Sequence, residues 1–199
     1  MPKAIMISIQ PKWVEKILNG EKTIEIRKTM PKCGFPIDVY IYCTKAEPYL
    51  YGCFGENEIG GGFGYTTSYC PTEDENSLDR TENLNGKVVA KFTLNEITEL
   101  RKMEHYKATG LVLYKGAMNM GEFNKYGGKY AWQIENLKIF DEPKELSEFT
   151  YRCVDDSKCE NCPYYYYHNT ESDSEKGCSC DCRKPITKAP QSWQFVEVE

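Results

Sequence analysis

The sequence predicts an α+β fold in which short strands carry most of the core, short helices join them, and a cysteine-rich segment is inserted toward the C-terminus. Three observations lead there. Five runs of strand length, at residues 4–9, 37–42, 87–94, 130–134 and 137–140, are apolar or alternate in polarity. One amphipathic helix follows the first run. Six of the ten cysteines fall within the thirty residues from Cys153 to Cys182.

Ala4 to Ile9 is an apolar stretch too short for a core helix, so it is predicted as a buried strand. Pro11 suits a first helical position, and Trp13, Val14, Ile17 and Leu18 then form one apolar stripe over Lys12 to Leu18. Trp13 belongs to that stripe as a core residue, or alternatively serves as a stacking platform. Gly20 ends the helix, because glycine takes the left-handed terminal conformation at little cost. The chain then enters a strand on which Ile24 and Ile26 share one side and Thr23, Glu25 and Arg27 the other. Lys22 has the isoleucines' parity, but it sits at the strand mouth, where its ammonium can turn toward the charged side. The alternative is an amphipathic strand whose charged face is simply solvated.

Gly20, Lys22, Glu25 and Arg27 fit a Gly-x-Lys-x-x-x-x-Arg pattern with an acidic residue two before the arginine. With the preceding strand and Trp-containing helix, this stretch resembles the signature of the ASCH family of the PUA-like superfamily. A Tyr-Ala-Trp-Gln-Ile run from Tyr130 resembles a later strand of that family. The resemblance covers the first two-thirds of the chain. It implies a small mixed β-barrel with a cleft that receives a nucleotide, a modified base or nucleic acid, and in some members a hydrolytic site.

After the signature, Pro31 to Pro36 reads as a turn, and Ile37, Val39 and Ile41 alternate with Asp38, Tyr40 and Tyr42 in a third strand. From about 47 to 86 no period is sustained. Gly60-Gly61-Gly62 lacks the Lys-Ser or Lys-Thr of a P-loop, so this stretch reads as a long loop insertion or lid over the barrel. Cys43, Cys53 and Cys70 are irregularly spaced and read as buried or incidental thiols. Asn85-Gly86 signals a turn into a strand at 87–94. Thr98 to Tyr106 is predicted as a short helix with Thr98 as its N-cap, and Met118, Met120, Phe123 and Tyr126 as another ended by Gly127-Gly128. The runs at 130–134 and 137–140 complete the barrel, and Pro143 ends the second of them.

Residues 1–145 therefore form the main domain, 146–187 a cysteine-rich segment, and 188–199 a returning strand with Trp193 and Phe195 on one face. Cys159 and Cys162 have the Cys-x-x-Cys spacing at which one turn presents two thiolates to tetrahedral Zn²⁺. Two further ligands would come from Cys153, Cys178, Cys180 and Cys182. Free thiols and redox pairing are the competing readings. Metal suits a segment whose four tyrosines, Tyr164 to Tyr167, and polar residues offer little aliphatic core.

The 199 residues are enough for one well-cored domain with an appendage. No apolar run reaches the roughly 20 residues a membrane helix needs. With no export signal either, a cytoplasmic location without membrane partners is expected. A net charge of −5 disfavours a protein that grips many phosphates. Residues 1–32 nevertheless carry seven basic against three acidic side chains, a +4 segment suited to a compact anion.

Three functions compete. The first is a binding protein in which Lys22, Thr23, Glu25 and Arg27 line a cleft for a nucleotide or flipped base. Glu25 would accept a base-edge donor, and Arg27 would contact phosphate or hold Glu25. The second is a hydrolase acting on a nucleoside or RNA through Lys22 and Glu25. Amidohydrolase members of the family use a Lys, a Thr nucleophile and a Glu, and aligning the motifs puts Lys22 on the Lys but Glu25 on the Thr. Thr23 lies roughly 7 Å away along the strand, beyond a nucleophile's reach of its base. The third is a zinc-stabilised module that binds a protein partner.

Overall fold

The computed structural model describes residues 3–47, 49–54, 65–66, 80–151 and 185–198. Its strands in chain order are β1 (Lys3–Ile9), β2 (Ile24–Arg27), β3 (Ile37–Cys43), β4 (Tyr51–Phe54), β5 (Tyr65–Thr66) and β6 (Arg80–Asn83). They continue with β7 (Val88–Leu94), β8 (Ile97–Glu99), β9 (Tyr130–Gln133), β10 (Glu135–Lys144), β11 (Phe149–Tyr151) and β12 (Trp193–Val198). The helices are α1 (Pro11–Leu18), α2 (His105–Gly110) and α3 (Met120–Tyr126), with a π-helical turn at Leu111–Lys115 and 3-10 turns at Leu100–Lys102 and Leu146–Glu148.

A six-stranded sheet runs in the order β10-β7-β3-β1-β12-β11, parallel between β1 and β3 and antiparallel elsewhere. Strand β3 is central and buried on both faces. Ile37, Val39 and Ile41 join Ile5, Ile7 and Ile9 in the main core with Val14 and Ile17 of α1, while Tyr40 and Tyr42 pack on the far side with Met6, Phe149 and Ile186. The returning C-terminal segment is integral to the sheet, since β12 pairs with β1 from Lys3↔Glu197 to Ile7↔Trp193.

A second sheet, β2-β9-β8, turns Ile24, Ile26 and Ala131 toward Leu100, Val112 and Met118. Its other side carries Glu25 and Trp132, which face each other in register, and Trp132 joins the main core. The expected closed barrel is not formed among the described residues: the six-stranded ladder ends at β10 and β11, and the three-stranded one at β2 and β8. The chain changes sheets between Gln133 and Glu135 and turns again at Asn136, whose φ is +49°. The change at Ile134 sends β10 to β7, with Glu135 already paired to Thr93, while β9 stays between β2 and β8, so two sheets pack through Trp132 instead of joining edges.

Three local expectations are corrected. Thr98 is not a helix cap; it pairs with Ala131 inside β8, and α2 starts at His105, because a strand partner overrides a local capping signal. Pro143 lies within β10 instead of ending it, as an edge strand tolerates a missing N–H. The stretch 47–86 contains a small antiparallel sheet, β5-β4-β6, where aperiodicity suggested only loop. Asn85 clasps its base, accepting from Leu50 N at 2.9 Å and donating to Ala46 O at 2.7 Å, while Leu50 and Leu84 anchor in the main core. The triple glycine and Cys70 lie outside the described residues. Cys43 is a buried thiol, as expected, pushed up to about 12 by burial. The six tail cysteines, Cys153, Cys159, Cys162, Cys178, Cys180 and Cys182, also lie outside the described residues.

Candidate functional site

Strand β2 is only four residues long and entirely buried, so its charged face is not solvated. Glu25 is 7% exposed and Arg27 5%. Burial of ionic groups is costly unless they are paired and hydrogen-bonded, and here each has partners. Arg27 Nη2 donates to the Ser8 carbonyl at 2.8 Å, and its Nε lies 3.2 Å from Glu25 Oε1. That second contact is an ion pair lying off hydrogen-bonding line. Lys22 Nζ stands 3.4 Å from the other carboxylate oxygen, Oε2, and donates to the Gly116 carbonyl at 2.8 Å. Glu25 is thus clamped between two cations, one on each oxygen.

The local chain explains how Lys22 arrives there. After α1, Gly20 takes φ +75° and Lys22 N donates back to Lys16 O, which turns the residue inward despite its isoleucine parity. The π-turn supplies the acceptor: Gly116 N bonds to Leu111 O, and a Cβ at Gly116 would meet the Val112 carbonyl at 2.6 Å. Desolvation by burial lowers the Lys22 pKa, and Glu25 opposes that shift.

Above Glu25 and Arg27 opens a cleft of about 1020 Å³. One side is formed by the end of β1 and the start of α1, where Trp13 lies with Lys12 Nζ 4.3 Å and Lys22 Nζ 5.3 Å from its ring centre. The opposite side is α3, with Tyr126 under Lys28 Nζ at 5.1 Å. The Tyr126 phenol is pushed up by burial, with Arg27 beside it opposing the shift. Gly128 lets this wall close, since a Cβ there would meet Ile26 Cγ2 at 2.2 Å. Lys125, Glu122 and the unpartnered buried hydroxyl of Thr44 also line the cleft. Lys12 and Glu122 bridge the two walls at 2.9 Å.

Of the four residues the sequence placed at a ligand site, Glu25 and Arg27 line the cleft and Lys22 supports Glu25 from behind. Thr23 is exposed and does not line it, since it lies before β2 with its N–H held by the Lys115 carbonyl. Sequence reasoning missed Tyr126, Lys125 and Thr44. It also missed the wall formed by 190–192, where Ser8 Oγ donates to Pro190 O at 2.6 Å. The capping box Asn119-x-x-Glu122 was a legible signal for α3, though not for which cleft it closes. Among the described residues no group of three or more His, Cys, Asp or Glu is placed to hold a metal.

The ASCH domain family model matches residues 7–144. Among solved structures, the chain is similar to an ASCH protein from Zymomonas mobilis at 13% identity and a TM-score of 0.44, over 72% of this chain and 73% of that one. Two single-residue variants of that protein match at 15% and 16% identity with TM-scores of 0.41 and 0.43, over 72% and 73% of this chain and 76% and 78% of theirs. No curated protein matches the chain. Because the family model spans well over half of its length and takes in both β2 and the cleft above it, this chain belongs to the ASCH domain family.

Proposed function

We infer that the cleft binds a nucleotide, or a single base turned out of a nucleic-acid strand. The observation that carries this reading is the Glu25 carboxylate, held between Lys22 and Arg27 at the floor of a cleft with Trp13 and Tyr126 in its walls. A fixed acceptor beneath aromatic walls suits a flat ligand with hydrogen-bonding edges. Arg27 supports Glu25 and β1, so the phosphate falls to the cations at the mouth, Lys28 and Lys125. The family relation and the +4 amino-terminal segment favour the same ligand class.

Calorimetric titration with mononucleotides and with long single strands over a range of salt tests this. Mononucleotide binding with a shallow salt slope is expected. A slope as steep as that of a many-phosphate binder contradicts a compact site.

One observation favours a second reading, hydrolysis of a nucleoside or RNA. Lys22 is a buried amine of lowered pKa beside a carboxylate, the kind of pair that can activate water. Against it, Lys22 lies behind Glu25 and Thr23 lies off the cleft. Turnover of an acylated nucleoside or of RNA that disappears in Lys22→Ala would establish the hydrolase; none is expected.

A further inference from the structure

We propose that the cleft selects guanine, through paired N–H donors placed on the two oxygens of Glu25. This deepens the nucleotide-binding reading and rests on it. The argument begins with what Glu25 can still accept. Oε2 has Lys22 Nζ at 3.4 Å and Oε1 has Arg27 Nε at 3.2 Å, so each oxygen has one cationic neighbour and keeps further lone-pair capacity. These cations sit in the floor, with Lys22 excluded from the lining, whereas Glu25 itself faces the cleft. The carboxylate is therefore a rigid acceptor pair whose two oxygens stand side by side.

A base satisfies both oxygens only if two adjacent edge atoms are donors. Guanine has this arrangement in N1–H and N2–H. Cytosine and adenine offer an amino group next to a ring nitrogen lone pair, and uracil offers one N–H between two carbonyls. Each of those three sets an acceptor against a carboxylate oxygen, a repulsive contact that also leaves one of the two oxygens without a donor from the base. Because Glu25 is pre-positioned, guanine binds it without first ordering a loose side chain. Trp13 and Tyr126 supply stacking surface that every base shares, so the edge contact is what discriminates.

The test is calorimetric titration of the full chain with GMP, AMP, CMP, UMP and IMP, the last being a purine nucleotide that lacks the N2 amino group. GMP is expected to bind about tenfold tighter than the other four, and Glu25→Gln is expected to bring the GMP-to-AMP ratio close to one. Because Glu25→Gln removes a buried ion-pair partner, its fold is checked by circular dichroism. The comparison of GMP with IMP needs no variant. Equal affinity for GMP and IMP, tightest binding of CMP, or no preference among the bases overturns guanine selection while nucleotide binding stands. No binding of any mononucleotide overturns guanine selection, and no binding of long single strands as well overturns the nucleotide-binding reading with it.

Discussion

Arg27 and Ser8 are joined by a 2.8 Å hydrogen bond from a guanidinium to a backbone carbonyl, and this bond ties β2 of one sheet to β1 of the other. Since the same side chain flanks Glu25, one residue holds both the sheet junction and the cleft floor. Arg27→Ala leaves Glu25 buried with a single cation and the Ser8 carbonyl short of a donor. A loss of about 3 kcal/mol is expected from breaking such a buried pair, measured by urea denaturation. Lost nucleotide affinity at unchanged stability would instead make Arg27 a direct ligand contact.

Gly116 and Gly110 bracket the π-turn and should respond in opposite senses to alanine. At Gly116 the new methyl meets the Val112 carbonyl at 2.6 Å, a backbone atom that cannot swing aside, and the carbonyl that holds Lys22 must move. Gly116→Ala is expected to cost about 1–3 kcal/mol. Gly110 has helical φ and ψ and open space at its Cβ position, so Gly110→Ala should add about 0.5–1 kcal/mol by reducing the freedom of the unfolded chain. Thermal melts of the two variants side by side decide it; equal effects would contradict the packing assigned to the turn.

What was legible in the sequence was whatever local pattern determines. Gly20 and Gly127 both take positive φ just beyond helices that the apolar spacing had located. The alternation of Ile37, Val39 and Ile41 with Asp38, Tyr40 and Tyr42 correctly separated two faces, the isoleucines and valine in one core and the tyrosines in the other. The Lys22, Glu25 and Arg27 cluster was also visible, but its burial was not. What surrounds Arg27 includes the backbone of Ser8 and the side chain of Tyr126, contacts that no spacing rule encodes. The same limit explains Thr98, whose strand partner Ala131 is distant in sequence, and the open sheets, which depend on how β9 hands over to β10.

The cysteine-rich segment leaves and re-enters the fold at one place. Thr150 bridges Pro185, and Ile186 N donates to the Phe149 carbonyl at 2.8 Å. We propose that Cys159-x-x-Cys162 with the later cysteines supplies a closed thiolate site for zinc. Elemental analysis of protein prepared without chelators is expected to find about one Zn²⁺ per chain. Cys159→Ser should lose it while the melting transition of the main domain persists. Protein containing no zinc would remove the metal from the description of the tail.

The last expectation concerns pH. Burial lowers the Lys22 pKa below its ordinary 10.5, so between its folded and unfolded values the unfolded chain binds more protons than the folded one. Stability contributed by such a group rises with pH: below the folded pKa the cost of burying the ammonium is present in full, and it is relieved as pH climbs through the folded value toward 10.5. Lys22→Met lacks this titration and serves as the reference. The difference in unfolding free energy, wild type minus Lys22→Met, should therefore move in favour of the wild type as pH is raised from neutrality toward 10, measured by urea denaturation at constant ionic strength. A difference that falls over that range would mean the ammonium is stabilised in place by Glu25 and the Gly116 carbonyl by more than its burial costs, with its folded pKa raised instead.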